Sequence, residues 1–290
     1  MQRRHRRGSR RNASVAAGNC RRPGILTVCG AGRAEVQDLR RELGNNTLTT
    51  YKPDGTQTAP TITAGLDYPY GVTVDANGKI YVTNSNDTIT CYKSDGTPTG
   101  PTIRAAIYQP QGVAVDKNGK IYVLNGNSGG GAGSVTTYLP DGTRTTPTIV
   151  TGSNPLGIAL DSNGNIYVTN SSGGVGDSGS VTTYGADGKR TSPTITAGLF
   201  YPVGVAVDRN GKIYVANSNF TLTTYAADGK ETRPTIMDGY WAPIGVTVDA
   251  TGKIYVTRDD TDSVVTFLPD GTPTAPTIAG LKQPEGIALH

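Results

Sequence analysis

Any chemistry in this chain must be done almost without histidine: of 290 residues, only His5 and His290 are imidazoles. Neither imidazole acid–base catalysis nor a His-ligated zinc site is expected. Oxygen ligands remain. Asp259, Asp260 and Asp262 place three carboxylates within four residues, the densest negative stretch in the chain. Together with Glu285 and a repeated Asn, they are the candidates for an oxygen-only Ca²⁺ site. The competing reading is a solvated acidic loop. Asp161-Ser162-Asn163-Gly164 looks like the start of a Ca²⁺ loop but lacks the later ligands, so it reads as a hairpin turn. Cys91 has no histidine to activate it and reads as a small buried residue.

These residues are carried by a repeat. The unit Gly-Val-x-Val-Asp-x-x-Gly-Lys-Ile-Tyr-Val starts at Gly71, Gly112, Gly157, Gly204, Gly245 and Gly286, at spacings of 41, 45, 47, 41 and 41 residues. Each unit continues with a Thr/Val run ending in an aromatic, an Asp-Gly turn and Pro-Thr-Ile. Alternation, β-branched content and turn chemistry predict four short strands, a to d, per unit. Four strands in 40–45 residues are the signature of a β-propeller blade. Strands a, c and d occur six times and strand b five times: Ile80, Ile121, Ile166, Ile213 and Ile254 begin its copies. The expectation is an all-β, six-bladed propeller. Its sixth blade combines Gly286–Leu289 with residues 46–64 and lacks one strand. Either the chain stops short of that strand, or Ile25–Cys29 supplies it.

A propeller sends its d–a and b–c connections to one face and its a–b and c–d turns to the other. The second set is nearly uniform here, which points to geometry. The first is varied. Of 19 aromatics, 11 sit at repeat positions in strands b and c and read as core. The other eight are Tyr68, Tyr70, Tyr108, Phe200, Tyr201, Phe220, Tyr240 and Trp241, all assigned to the d–a and b–c connections. Clustered aromatics on loops serve either as a binding surface or as local core. The same face receives Asn84, Asn125, Asn170, Asn217 and Arg258 at the end of strand b. It also receives the residues preceding each strand-a glycine: Tyr70, Gln111, Leu156, Val203, Ile244 and Glu285. These six vary most and are expected to rim the channel mouth. The repeated Asn also has a bland reading, hydrogen bonding to loop backbone. Ser128–Gly133 and Ser171–Gly179 lengthen two b–c connections and lack the Lys-Ser/Thr of a phosphate loop.

The repeat resembles the NHL family of six-bladed propellers, whose units carry Pro-x-Gly-Val-x-Val-Asp-x-x-Gly-x-Ile-Tyr-Val. The match runs from Pro69-Tyr70-Gly71 to Pro284-Glu285-Gly286. One departure is Asn or Arg where that family often has Asp, directly after strand b. The resemblance implies a bacterial, exported protein, hence an extracytoplasmic location. Gluconolactonase-like propeller enzymes, similar in architecture, hold a divalent metal in the channel with Glu, Asn and Asp.

Net charge is +4, but it is divided unequally. Residues 1–43 hold 11 Arg against 3 acids, a net +8, while residues 44–290 carry −4. The first stretch is expected to be a separate basic segment, either a disordered tail or a misassigned start. No apolar run of membrane-span length is present. The acidic body argues against a nucleic-acid partner. The leading expectation is a monomeric, non-catalytic binding scaffold without a cofactor, whose d–a/b–c face takes a protein or glycan. The alternatives are a Ca²⁺-dependent gluconolactonase-like hydrolase or lyase, and a structural cell-surface repeat.

Overall fold

A computed structural model of the chain describes residues 26–30, 46–127, 131–171, 179–237, 243–258 and 261–290. Three strands come first: β1 (Leu26–Gly30), β2 (Thr47–Tyr51) and β3 (Gln57–Ile62). Five blades follow, each a continuous antiparallel run of four strands. They are β4–β7 (Pro69–Val74, Ile80–Asn84, Thr88–Tyr92, Pro98–Ile103), β8–β11 (Pro110–Val115, Ile121–Asn125, Ala132–Tyr138, Arg144–Ser153) and β12–β15 (Pro155–Leu160, Ile166–Asn170, Ser180–Tyr184, Arg190–Ile195). The last two are β16–β19 (Pro202–Val207, Ile213–Asn217, Thr221–Tyr225, Glu231–Met237) and β20–β23 (Pro243–Val248, Ile254–Arg258, Ser263–Phe267, Pro273–Ile278). The final strand, β24 (Pro284–Leu289), belongs to a composite sheet ordered β24-β1-β2-β3.

This corrects the expected six blades with a strand missing from the sixth. The repeats build five blades, not six. The remaining sheet, drawn from distant parts of the chain, has four strands rather than three. Its second strand, β1, lies inside the basic first 43 residues. Leu26 pairs with Tyr51 as Ile80 pairs with Tyr92, so β1 takes the strand-b register, and Gly30 stands where the blades carry Asn or Arg.

Local chemistry explains the uniform turns. Asp75 accepts hydrogen bonds at Oδ1 from the Asn77 and Lys79 amides at 2.8 and 3.0 Å. Gly78 closes the turn at φ 84°, a conformation that favours glycine. The other carboxylate oxygen of each a–b aspartate receives a strand-b phenol: Tyr81 to Asp75, Tyr122 to Asp116, Tyr167 to Asp161, Tyr214 to Asp208 and Tyr255 to Asp249. The Lys79 ammonium sits 5.1 Å from the Tyr81 ring centroid and donates to the Gly100 carbonyl. Each hairpin is thus tied to its own strand b, and in four of the five blades a lysine also ties it to the outer strand; the β12–β15 blade has Asn165 there, which donates to Asp161. Strand-c tyrosines tie neighbouring units together, since Tyr92, Tyr138 and Tyr225 donate to the carbonyls of Ala64, Ala105 and Ala197 in the preceding d–a loops.

The buried phenols give the fold a defined alkaline limit. Burial first, then the charge of Asp116 or Asp161, then the hydrogen bond to it, push Tyr122 and Tyr167 up to about 12. The unfolded chain loses these protons near the ordinary tyrosine value of about 10. The stabilisation they contribute is therefore whole below about pH 10 and is lost as pH rises through about 12. An ultraviolet titration should show their phenolate band emerging only together with loss of the β-sheet circular dichroism. Reversible ionisation of these tyrosines near pH 10 with the sheet intact would contradict this.

Packing between units rests on two close approaches. The innermost strands β24, β4, β8, β12, β16 and β20 contact one another in turn, and β20 returns to β24. Strand-a glycines permit it: a Cβ on Gly204 would fall 2.3 Å from the Ile244 carbonyl oxygen, and one on Gly157 would fall 2.5 Å from that of Val203. On the outer side, each Asp-Gly turn packs on the preceding unit's strand-d proline, as Gly96 does on Pro60 and Gly142 on Pro101. Gly55 of the composite sheet rests on Pro276 of the last blade in the same way. This contact closes the ring and leaves no open sheet face between its first and last units. Among the described residues, no helix is long and apolar enough to cross a membrane.

Candidate functional site

The d–a and b–c connections and the ends of the innermost strands form the varied face, and the structure sorts its residues into distinct groups. The repeated asparagines lie inside it. Asn84, Asn125, Asn170 and Asn217 are all buried. Oδ1 of Asn84, Asn125 and Asn217 accepts the loop amides of Asp67, Tyr108 and Phe200 at 3.0–3.1 Å. The Asn84 amide donates to the Val82 carbonyl and to Thr90. These side chains pin each d–a loop onto its blade, as the bland reading expected. Before β12 the connection shrinks to Asn154 alone. Asn170 Oδ1 consequently has no loop amide to accept and no hydrogen-bond partner among the described residues. Arg258, at the same position in the last blade, is half-buried.

The six residues ahead of the strand-a glycines lie within the innermost strands, which begin at the proline two residues before the glycine. Tyr70 accordingly belongs to β4 and not to a loop. In ring order the six divide into two arcs. Leu156, Val203 and Ile244 are consecutive and pack together as a buried apolar cluster. Glu285, Tyr70 and Gln111 form the other, polar arc. Glu285 is buried, and Tyr70 and Gln111 are half-buried. Burial, and then the nearby Glu285 charge, push the Tyr70 phenol up. Gln111 donates to the Gln109 carbonyl at 3.2 Å. The mouth is thus asymmetric, and its apolar half is closed by side chains.

Three of the loop aromatics are exposed large side chains. Tyr108 is 56% exposed, Phe200 46% and Phe220 44%. Tyr68 and Tyr201 are half-buried. Tyr201 meets Phe200 edge to face at 5.1 Å between centroids. Tyr240 and Trp241 lie outside the described residues, as do Asp259 and Asp260. Asp262, the third expected metal ligand, is half-buried, and its Oδ1 accepts the Gln283 amide at 2.8 Å. Among the described residues, no three His, Cys, Asp or Glu side chains are grouped as a metal would require. Most of the two glycine-rich loops also falls outside the described residues.

Cys91 is buried, and burial pushes its thiol up to about 11, which keeps it protonated and inert. It replaces a threonine that bridges strand d in four other units: the hydroxyls of Thr50, Thr137, Thr224 and Thr266 each reach two strand-d carbonyls, whereas that of Thr183 has no partner among the described residues. A groove of about 1000 Å³ runs along β19 beside Pro269 and Asp270. It lies along the outermost strand of its blade and is lined by Glu231, Arg233 and Asp270 with threonine and proline between them.

Sequence reasoning missed the role of the residue just before strand c. Asn46, Asp87 and Asp262 occupy that place, and each side chain accepts the amide of the residue preceding the next strand-a proline: Tyr68, Gln109 and Gln283. Phe220 occupies the same place in its blade. Aligning the repeats at strand c, rather than at the glycine, exposes this substitution.

No family model matches the sequence, and no curated protein is significantly similar to it. Solved structures match the fold. A chain of a nidogen/laminin complex is 20% identical, with a TM-score of 0.72 over 91% of this chain and 97% of that one. Virginiamycin B lyase from Staphylococcus aureus is 17% identical, with a TM-score of 0.57 over 75% and 73%. A gluconolactonase from Xanthomonas campestris is 18% identical, with a TM-score of 0.56 over 74% and 80%. These neighbours are β-propellers. At such identities the likeness shows the fold alone.

Proposed function

We propose that this chain is an NHL-type, extracytoplasmic, non-catalytic binding scaffold whose loop face takes a protein or glycan partner. The carrying observation is the exposure of Tyr108, Phe200 and Phe220 on one face, at positions where the repeat itself demands no aromatic. One propeller of similar fold comes from a nidogen/laminin complex, an association that fits a docking role.

The test is affinity capture from an envelope extract of the native host. The Tyr108→Ala/Phe200→Ala/Tyr201→Ala variant is compared with a control altered on the opposite face, Leu139→Ser/Leu268→Ser. All three proteins should share the far-ultraviolet spectrum of the unaltered chain. Captured material should be lost only with the first variant. Equal capture by both would sink the proposal.

A further inference from the structure

We infer that the loops over β16–β19 form a site for a neutral, flat saccharide, with Phe220 as its specificity-determining residue. The inference rests on the binding role proposed above and names the ligand chemistry of one sector of that face.

Phe220 breaks two local rules at once. It adopts φ 70°, the left-handed region that a bulky aromatic rarely enters, and it leaves its ring 44% exposed. In three other units the same place is filled by Asn46, Asp87 or Asp262, types that tolerate this conformation and cap the next loop, and the unit before it has Gly179 there at φ 83°. A phenylalanine side chain cannot accept the loop amide that these caps accept. A residue that violates local preference without structural return marks a functional position.

Its surroundings define the ligand. Ser218 ties the b–c loop to the d–a loop through its amide to the Phe200 carbonyl at 3.0 Å and its hydroxyl to the Tyr201 carbonyl at 2.9 Å. Phe200, Tyr201 and Phe220 thereby lie on two loops that these hydrogen bonds join. Asn219 between them is exposed. Its Oδ1 accepts the Thr221 hydroxyl, and its Nδ2 has no partner among the described residues. Residues 196–201 and 218–220 contain no Asp, Glu, Lys or Arg, whereas every other unit carries at least one in the corresponding loops. The Glu231 carboxylate lies beside Gly198 at the edge of these loops, so they offer an anionic ligand no counter-charge.

Size excludes a protein partner held by these two loops alone. Two half-exposed phenylalanines offer about 200 Å², scaled from the roughly 150–250 Å² an aromatic side chain can bury. A stable protein interface needs about 800 Å² per partner. The area suits one or two sugar rings. β-1,4-linked pyranoses present flat C–H faces that stack on aromatic rings, and their hydroxyls accept from an amide such as that of Asn219.

The test titrates the full chain with cellohexaose, xylohexaose and chitohexaose, read by saturation-transfer NMR and calorimetry. At least one should bind with a Kd between about 0.1 and 5 mM, the range of a small, shallow site. Phe220→Tyr should keep that Kd within about threefold, and Phe220→Ala should weaken it by about tenfold or more. Phe220→Asn restores the residue type of the capped loops. It should lose binding while raising Tm by about 2–4 °C, which separates recognition from folding. No transfer from any hexaose at about 10 mM, or binding indifferent to Phe220→Ala and Phe220→Asn, overturns the inference. Loss of protein capture in Phe220→Ala without hexaose binding would also overturn it, yet would leave the broader binding role standing.

Discussion

Deleting residues 1–30 is expected to lower Tm by about 10–20 °C relative to a protein that lacks only residues 1–24. The contrast isolates β1, which pairs with both β2 and β24. Its removal strips hydrogen bonds from both flanks and leaves two facing strand edges about 10 Å apart, too wide to pair and too narrow to leave solvated. A net worth of about 0.5–1.5 kcal/mol for each ladder hydrogen bond brings the loss to about 5 kcal/mol. For a domain of this size, each kcal/mol moves Tm by about 2–4 °C. The ring also loses its closure, because Gly55 reaches Pro276 only while the composite sheet holds together. Thermal scans of the two deletions decide the matter. Equal melting temperatures would show that Leu26–Gly30 contributes nothing to the sheet.

The second large effect is expected at the centre. Gly204→Ala should cost about 3–5 kcal/mol, at the upper end for a single substitution. The added methyl would lie 2.3 Å from the Ile244 carbonyl oxygen, in a spot bounded by the backbone of β20. A backbone wall cannot rotate away as a side chain can, so two innermost strands must part. Gly164→Ala is the matched control. It has φ 84°, but its nearest neighbour would be the Ala186 methyl at 3.6 Å, so it bears conformational strain without a clash. That variant should lose only about 1 kcal/mol. Urea unfolding of both proteins measures the difference. Similar losses would mean that the innermost strands have room to spare.

Much of the fold could be read from the chain because the repeat states each local rule five or six times over. The Asp-x-x-Gly turn, the Ile-Tyr-Val strand and the Asp-Gly turn each carry their own hydrogen-bonding and conformational reason. The pairing of Leu26–Gly30 could not be read with equal force. That segment has neither the tyrosine nor the asparagine of strand b, and only the gap between β24 and β2 selects it. The blade count failed because the partial repeats at the two ends of the propeller were counted as a sixth unit, whereas the repeats build five blades.

The face was only partly legible. Sequence position placed the asparagines, the aromatics and the channel residues on one side. It could not tell that Asn84 and Asn217 turn inward to hold loops while Phe200 and Phe220 turn outward. Burial is decided by what the neighbouring unit presents, and that is a property of the closed ring. The acidic loop reads as a ligand set by its spacing alone, yet Asp262 is already engaged with the Gln283 amide.

By itself, then, the sequence determined the strands, their turns and the propeller architecture, since these follow from local periodicity and backbone preference. Tertiary structure alone decided three things: how the ring closes, which half of the mouth is apolar, and which aromatics remain exposed. Each depends on contacts between units far apart in the chain, and no local pattern encodes the surface that another unit will bring against it.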